Sequence, residues 1–205
     1  PPMGEHSHLR LVTDPTAPPA PVPGPSDDAL MALAAQGDQA AYVTLVRRYE
    51  RRIRAFCRLL LRDEVLAADI AQEVFLKVWE KRRDYRAGGR MKEYLFTIAR
   101  HHCQSAARKR AVRAWLGLDE VPEEQLQRPP EGVEALSEAQ TFAMVAAALH
   151  RLPDKFRVPL ALRFVEGMPY EEIAQVIGRT PSAARSRVFY GLKSLAELLP
   201  AEVLE

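Results

Sequence analysis

The chain has 205 residues, 47% of them hydrophobic and 27% charged, with a net charge of +2. That is apolar material enough for real cores, yet no uninterrupted apolar run approaches the ~20 residues that a bilayer requires. The first residues lack the apolar stretch of a signal peptide, so a cytoplasmic protein is expected, and the two cysteines, Cys57 and Cys103, fall in helical patterns far apart in sequence, which suits reduced structural thiols.

Residues 1–26 carry eight of the sixteen prolines and are expected to form a disordered tail. From Asp27 to about Arg113 the pattern is that of an all-helical domain. A short helix stops at Gly37, and Asp38 caps a longer one whose core stripe is Tyr42, Leu45, Tyr49, Ile53, Phe56 and Leu60. The stretch DIAQEVFLKVWE, Asp69 to Glu80, follows. As a helix it buries Ile70, Ala71, Val74, Phe75 and Val78 and turns Asp69, Gln72, Glu73, Lys77 and Glu80 outward, with Leu76 among them. A single exposed leucine needs no explanation. An apolar side chain ringed by charge is also the arrangement of an interface anchor.

A loop, DYRAGGR, leads to a helix from about Lys92 to Arg113 with Leu95, Ile98, Ala99, His102, Cys103 and Ala106 toward the core. His101, His102 and Cys103 do not read as a metal cluster, because consecutive helical residues diverge by about 100°, so no metal and no cofactor is expected. Charge is sorted along this part of the chain. Residues 81–113 hold eleven Lys and Arg against two acids, a net of +9, and residues 114–138 hold one Arg against seven acids, a net of −6. The basic block reads as a nucleic-acid surface and the acidic, proline-containing segment, 114–137, as a linker.

A second helical domain is expected over 138–199, with 200–205 as a tail. Its first helix, capped by Ser137, carries Phe142, Val145, Ala146 and Leu149 and ends at Pro153. Another runs from after Pro159 to Gly167. Then comes PYEEIAQVIGRTPSAARSRVFYGLKSLAELL: a short helix with Ile173, Ala174 and Ile177, a turn at Gly178, and a helix capped by Thr180 with Pro181 at its first position. This is a helix-turn-helix. The second helix buries Ala184, Val188, Leu192 and Leu195. Its other face presents Ser182, Ser186, Phe189, Tyr190 and Lys193, flanked by Arg185 and Arg187, with no acid from Arg179 to Lys193. Such a face suits the DNA major groove.

Over about residues 27–199 the chain resembles the extracytoplasmic-function (ECF) sigma factors, the two-domain specificity subunits of bacterial RNA polymerase. DIAQEVFLKVWE is similar to that family's polymerase-binding helix, YLFTIARHHCQSAARKR to its −10 helix, and LPDKFRVPLALRFVEGMPYEEIAQVIGRTPSAARSRVFYGLKSL to its −35-binding domain. The resemblance implies an all-α fold of two small helical domains and a function without enzymatic activity, in promoter recognition and opening. It implies core RNA polymerase (the β′ coiled coil and the β subunit), promoter DNA and an anti-sigma factor as partners, with no membrane. Asp69, Gln72, Glu73 and Leu76 would contact polymerase. Tyr85, Arg86, Arg90, Tyr94, Phe96 and Arg100 would hold −10 bases, which need aromatic and cationic partners once unstacked. Arg185, Ser186, Phe189 and Tyr190 match −35-reading positions. The chain departs from the family's usual pattern at Tyr94, His101, Ala184 and Tyr190. The competing expectation is a stand-alone helix-turn-helix regulator, for which the first domain would be superfluous.

Overall fold

The computed structural model describes residues 24–116, 138–200 and 203, apart from the side chains of residues 138–140 and 142. The expected N-terminal tail therefore lies outside the described residues except for 24–26, the linker except for 114–116, and the C-terminal tail except for Pro200 and Val203; the side chain of Phe142 lies outside them too.

All regular structure among the described residues is helical. Helix α1 (Asp27–Ala35) starts where the Ser26 hydroxyl accepts from the Ala29 N–H at 3.2 Å. Gly37, at φ 102°, turns the chain out of it. Asp38 caps α2 (Gln39–Leu61) by accepting from the Ala41 N–H at 3.0 Å. Helix α3 (Glu64–Glu80) begins earlier than the apolar period of DIAQEVFLKVWE shows, because Asp63 accepts from the Leu66 N–H at 2.9 Å and caps an additional turn. Helix α4 (Met91–Trp115) runs two residues past the expected boundary.

The stripe on α2 is the hub of the first unit. Leu45, Tyr49, Ile53, Phe56, Cys57 and Leu60 are all buried, and α1, α3 and α4 pack around them. Phe56 meets Phe96 of α4 edge to face at 5.1 Å. Each such side chain contributes about 1.5–3 kcal/mol on leaving water. Cys57 and Cys103, distant in sequence, are both buried and free. A hydrogen bond to Cys57, with burial, holds the Cys103 thiol far above its usual range, which leaves it protonated and inert.

The second unit contains α5 (Glu138–Arg151), α6 (Asp154–Leu160), a π-helical turn (Ala161–Val165), α7 (Tyr170–Ile177) and α8 (Pro181–Ala196). Pro159 was expected to precede a helix and instead lies inside α6. Beyond it the helix widens: the Glu166 N–H reaches back five residues to the Ala161 carbonyl at 3.2 Å, and Gly167, at φ 62°, ends the turn as expected. Gly191 of α8 was not expected in the core. A Cβ there would stand 3.0 Å from Leu160 and 3.2 Å from Phe156, so the missing side chain is what lets α8 lie against α6.

The two units share one apolar cluster in which α4 packs against α7. Arg52 of α2 donates through Nε to Glu166 Oε2 at 2.8 Å, and Glu166 keeps only 3% of its side chain exposed. Lys92 Nζ donates to the Glu166 carbonyl at 3.1 Å and pairs with Glu172 at 3.5 Å. Burial pushes the Glu166 carboxyl up, against the pull of Arg52. Its folded pKa lies above the unfolded one, so its contribution to stability is largest below the carboxylate range and declines as pH rises through it. Arg52→Ala is expected to cost about 2–3 kcal/mol at pH 7.5, by leaving a buried carboxylate without its partner, and less at pH 5, because burial raises the Glu166 carboxyl and a lower pH favours its uncharged form. In the Arg52→Ala background, Glu166→Gln should remove that pH dependence. Urea unfolding followed by circular dichroism at the two pH values checks this, and a cost equal at both would contradict it.

Candidate polymerase and promoter interfaces

Helix α3 is anchored by Ala67, Ile70, Ala71, Val74, Phe75 and Val78, all buried. That fixes what remains outside. Asp69, Gln72 and Glu73 are exposed, and Leu76 stands 63% exposed between them. Leu76 is not isolated. It borders an open groove of about 540 Å³ between α2 and α3, whose apolar lining includes Tyr42, Val43, Val46, Phe75 and Trp79, with Glu50, Arg54 and Gln72 among the polar ones. Val43 is itself 45% exposed. Tyr42 and Trp79 stack tilted at 4.9 Å, and the Tyr42 hydroxyl donates to the Phe75 carbonyl, which ties the groove's two walls together. The signal for these additional residues was present: Tyr42, Val43 and Val46 make the apolar face of α2 wider than one core contact needs. Glu73 also reaches His102 Nδ1 of α4 at 3.0 Å.

The loop between α3 and α4 and the start of α4 carry the residues expected at the −10 element. Arg86 and Arg90 are exposed. Tyr85 and Tyr94 are half-buried and stack tilted at 5.5 Å. The Tyr85 hydroxyl donates to Asp28 at 2.6 Å, and burial, before that bond, holds its pKa above the usual range. Phe96 corrects the expectation. It is fully buried against Phe56 and belongs to the core, because 96 falls on the same helical stripe as Ala99 and Cys103 and cannot face a base. Arg100 is half-buried, and burial, then the neighbouring Arg179 and Arg187, lower its pKa. It donates to Gln104 at 3.2 Å and to His101 Nε2 at 2.6 Å. Arginine can only donate, so His101 accepts as a neutral ring; burial and Arg100 lower its pKa accordingly.

The helix-turn-helix is formed as its sequence dictates. Gly178 closes α7 at φ 64°, and the Thr180 hydroxyl accepts from the Ala183 N–H at 3.2 Å to start α8. Ser182, Arg185, Ser186, Phe189, Tyr190 and Lys193 are all exposed on α8. Phe189, 64% exposed, and Tyr190, 56% exposed, meet edge to face at 5.4 Å. Arg185 lies over the Tyr170 ring of α7 at 5.1 Å, a support that no local pattern announced. Arg187 differs from its expected place on the outer flank. It is half-buried and close enough to Arg100 to perturb it, at the seam between the two units. Among the described residues no cluster of His, Cys, Asp and Glu could hold a metal ion.

Comparison with known proteins covers both units. The model of sigma-70 region 2 matches residues 45–113, and that of sigma-70 region 4 matches residues 142–195. The chain is 32% identical to the RNA polymerase sigma factor CarQ of Myxococcus xanthus over 170 residues, which cover 82% of this chain and 95% of that one. It is 30% identical to the RNA polymerase sigma factor NccH of Alcaligenes xylosoxydans xylosoxydans, with 84% and 94% covered. Among solved structures it is similar to CnrH in complex with the cytosolic domain of CnrY, with a TM-score of 0.63, 25% identity, and 84% of this chain and 96% of that one covered. It is likewise similar to the sigma factor RpoE of Bartonella quintana in complex with the anti-sigma factor NepR, with a TM-score of 0.63, 26% identity, and 77% and 95% covered. A stand-alone regulator leaves the first match without a reason, and the chain belongs to the sigma-70 family, as an ECF sigma factor that directs RNA polymerase to promoters.

Proposed function

We propose that the α3 face formed by Asp69, Gln72, Glu73 and Leu76, with the adjoining groove, docks on the β′ coiled coil of core RNA polymerase. The observation that carries this is Leu76, exposed within a charged ring beside a second apolar surface on α2. An anchor in a pocket with a polar rim is the arrangement in which a few residues dominate binding energy. In this reading residues 27–113 are one functional unit and 138–199 the other. Arg86, Arg90, Tyr94 and Arg100 engage the −10 element, while Tyr85 supports the loop. Ser186, Phe189, Arg185, Tyr190, Ser182 and Lys193 read or flank the −35 element. The protein acts in the cytoplasm and has no enzymatic activity of its own. No described helix is long and apolar enough to cross a membrane.

The seam explains how the free protein is kept from DNA. Arg100 and Arg187, both candidates for DNA contact, crowd each other there, and the pairs Arg52–Glu166 and Lys92–Glu172 hold the units together against that repulsion. Separation of the units by polymerase relieves the repulsion and frees both arginines for phosphates. The two structural relatives are each bound to another protein, NepR being named an anti-sigma factor. A second protein that covers the polymerase-binding and promoter-binding faces is the corresponding partner in this reading.

Leu76→Arg should leave the melting temperature nearly unchanged and weaken core polymerase binding by at least about 2 kcal/mol, whereas Val74→Arg, at a fully buried position, should unfold the first unit. Titration of labelled protein with core enzyme measures the first effect and thermal melting the second; unchanged affinity for Leu76→Arg would remove the interface.

With holoenzyme and promoter duplexes across a salt series, Arg187→Ala should weaken matched and mismatched −35 sequences alike and reduce the salt slope by about one. Ser186→Ala with Phe189→Ala should instead lower the preference for the matched sequence by roughly 1–3 kcal/mol. Tight, sequence-specific binding by the protein without core enzyme would contradict this account.

A further inference from the structure

The first turn of α1 bears two adjacent carboxylates with separate tasks. Asp27 accepts from Arg48 and from the Tyr49 hydroxyl, the latter at 2.6 Å, and so fastens α1 to α2. Asp28 faces the other way in its bonding. One oxygen accepts from the Tyr85 hydroxyl at 2.6 Å; the other accepts from the Gly88 N–H at 2.8 Å and the Gly89 N–H at 2.7 Å. A single side chain thereby binds three points of a loop some sixty residues away.

Beside these bonds the loop is held by the Tyr85 ring against Tyr94, while its glycines carry no side chain to pack. It contains two consecutive glycines, one at φ 69°, and ordering such a segment costs more conformational entropy than ordering other residues. Neither glycine has an atom within 4 Å of where a Cβ would stand, so the side of the loop away from Asp28 is open. The hydrogen bonds from Tyr85, Gly89 and Gly88 hold the Asp28 carboxyl below the usual carboxylate range, so all three donors meet a charged acceptor.

We propose that Asp28 is a positioning residue for promoter recognition: its carboxylate holds the loop at Tyr85, Gly88 and Gly89 in the conformation that receives an unstacked −10 base. This rests on the reading that the loop and the start of α4 engage the −10 element. Arg86 and Arg90, both exposed on the loop, supply the cationic contacts, and Asp28 touches no nucleotide itself. Its contribution is preorganisation, since a loop already ordered does not lose that entropy when it binds.

The test combines two measurements on the full chain. Hydrogen exchange of the free protein should show the Gly88 and Gly89 amides exchanging at least about tenfold faster in Asp28→Ala, as expected when the carboxylate that accepts from both is removed. Holoenzymes are then compared on promoter duplexes that differ at single non-template −10 bases, reading the ratio of open-complex formation on matched and substituted promoters. Asp28→Ala should lower that ratio about tenfold, and Tyr85→Phe, which removes one bond of three and keeps the ring, about threefold. Affinity for core polymerase should not change. A ratio rather than a rate is used because a smaller folded fraction would lower both promoters alike; if Asp28→Ala unfolds the chain, Tyr85→Phe decides by the same ratio.

Arg86→Ala with Arg90→Ala separates the two claims. If that double variant leaves the ratio intact, the loop does not read the −10 element and the proposal falls with that reading. If it lowers the ratio while Asp28→Ala and Tyr85→Phe do not, the loop reads the promoter and the role assigned to Asp28 is wrong.

Discussion

Helix α4 must satisfy two neighbours at once, and the placement of each functional surface follows from that. Its inner residues, Leu95, Phe96, Ala99 and Cys103, are buried in the cluster built on α2 and α3, and the helix also packs against α7 of the second unit. Over residues 91–106 that leaves His101 alone fully exposed, whereas residues 107–115 run on beyond the packing and are exposed. Phe96 is thereby excluded from any encounter with a base, and Arg100 is drawn into the seam. Among the surfaces that stay free are the outward face of α3, the loop before α4 and the outer face of α8, where residues expected to bind polymerase or DNA are exposed.

The electrostatics of the seam are opposed. Arg52 with Glu166 and Lys92 with Glu172 draw the units together, and Arg100, Arg179 and Arg187 push them apart. Glu166 is buried, so its pairing with Arg52 mostly offsets the cost of desolvating the carboxylate. Such pairs fix how the units are oriented more than they add to stability. The repulsive cluster is different in kind: phosphates can neutralise it, but only once the units have moved apart. In the proposed function, the same charges serve closure in the free protein and contact with phosphates on DNA.

Much of this was legible in the sequence because it is local. The caps Asp38 and Thr180, the closing Gly178, the buried stripe of α2 and the exposure of Leu76 each depend on residues within a turn or two. What was not legible depends on partners that no local pattern names. Glu166 meets Arg52 across 114 residues, and Asp28 meets Gly89 across 61. Phe96 departs from its expected place because its position on the buried stripe of α4 decides against its aromatic character beside arginines. A proline usually marks a helix boundary, whereas Pro159 lies inside α6 and a π-helical turn follows.

The central claim is that the two units are held together in the free protein and separated by polymerase. It is tested most directly by energy transfer between dyes on cysteines introduced at Arg51 and Glu197, both exposed, with the native Cys57 and Cys103 buried and poorly reactive. The account predicts high transfer in the free protein, little change on adding promoter duplex alone, and a clear fall on adding core polymerase. Unchanged transfer in a complex shown by gel filtration to contain polymerase would contradict it.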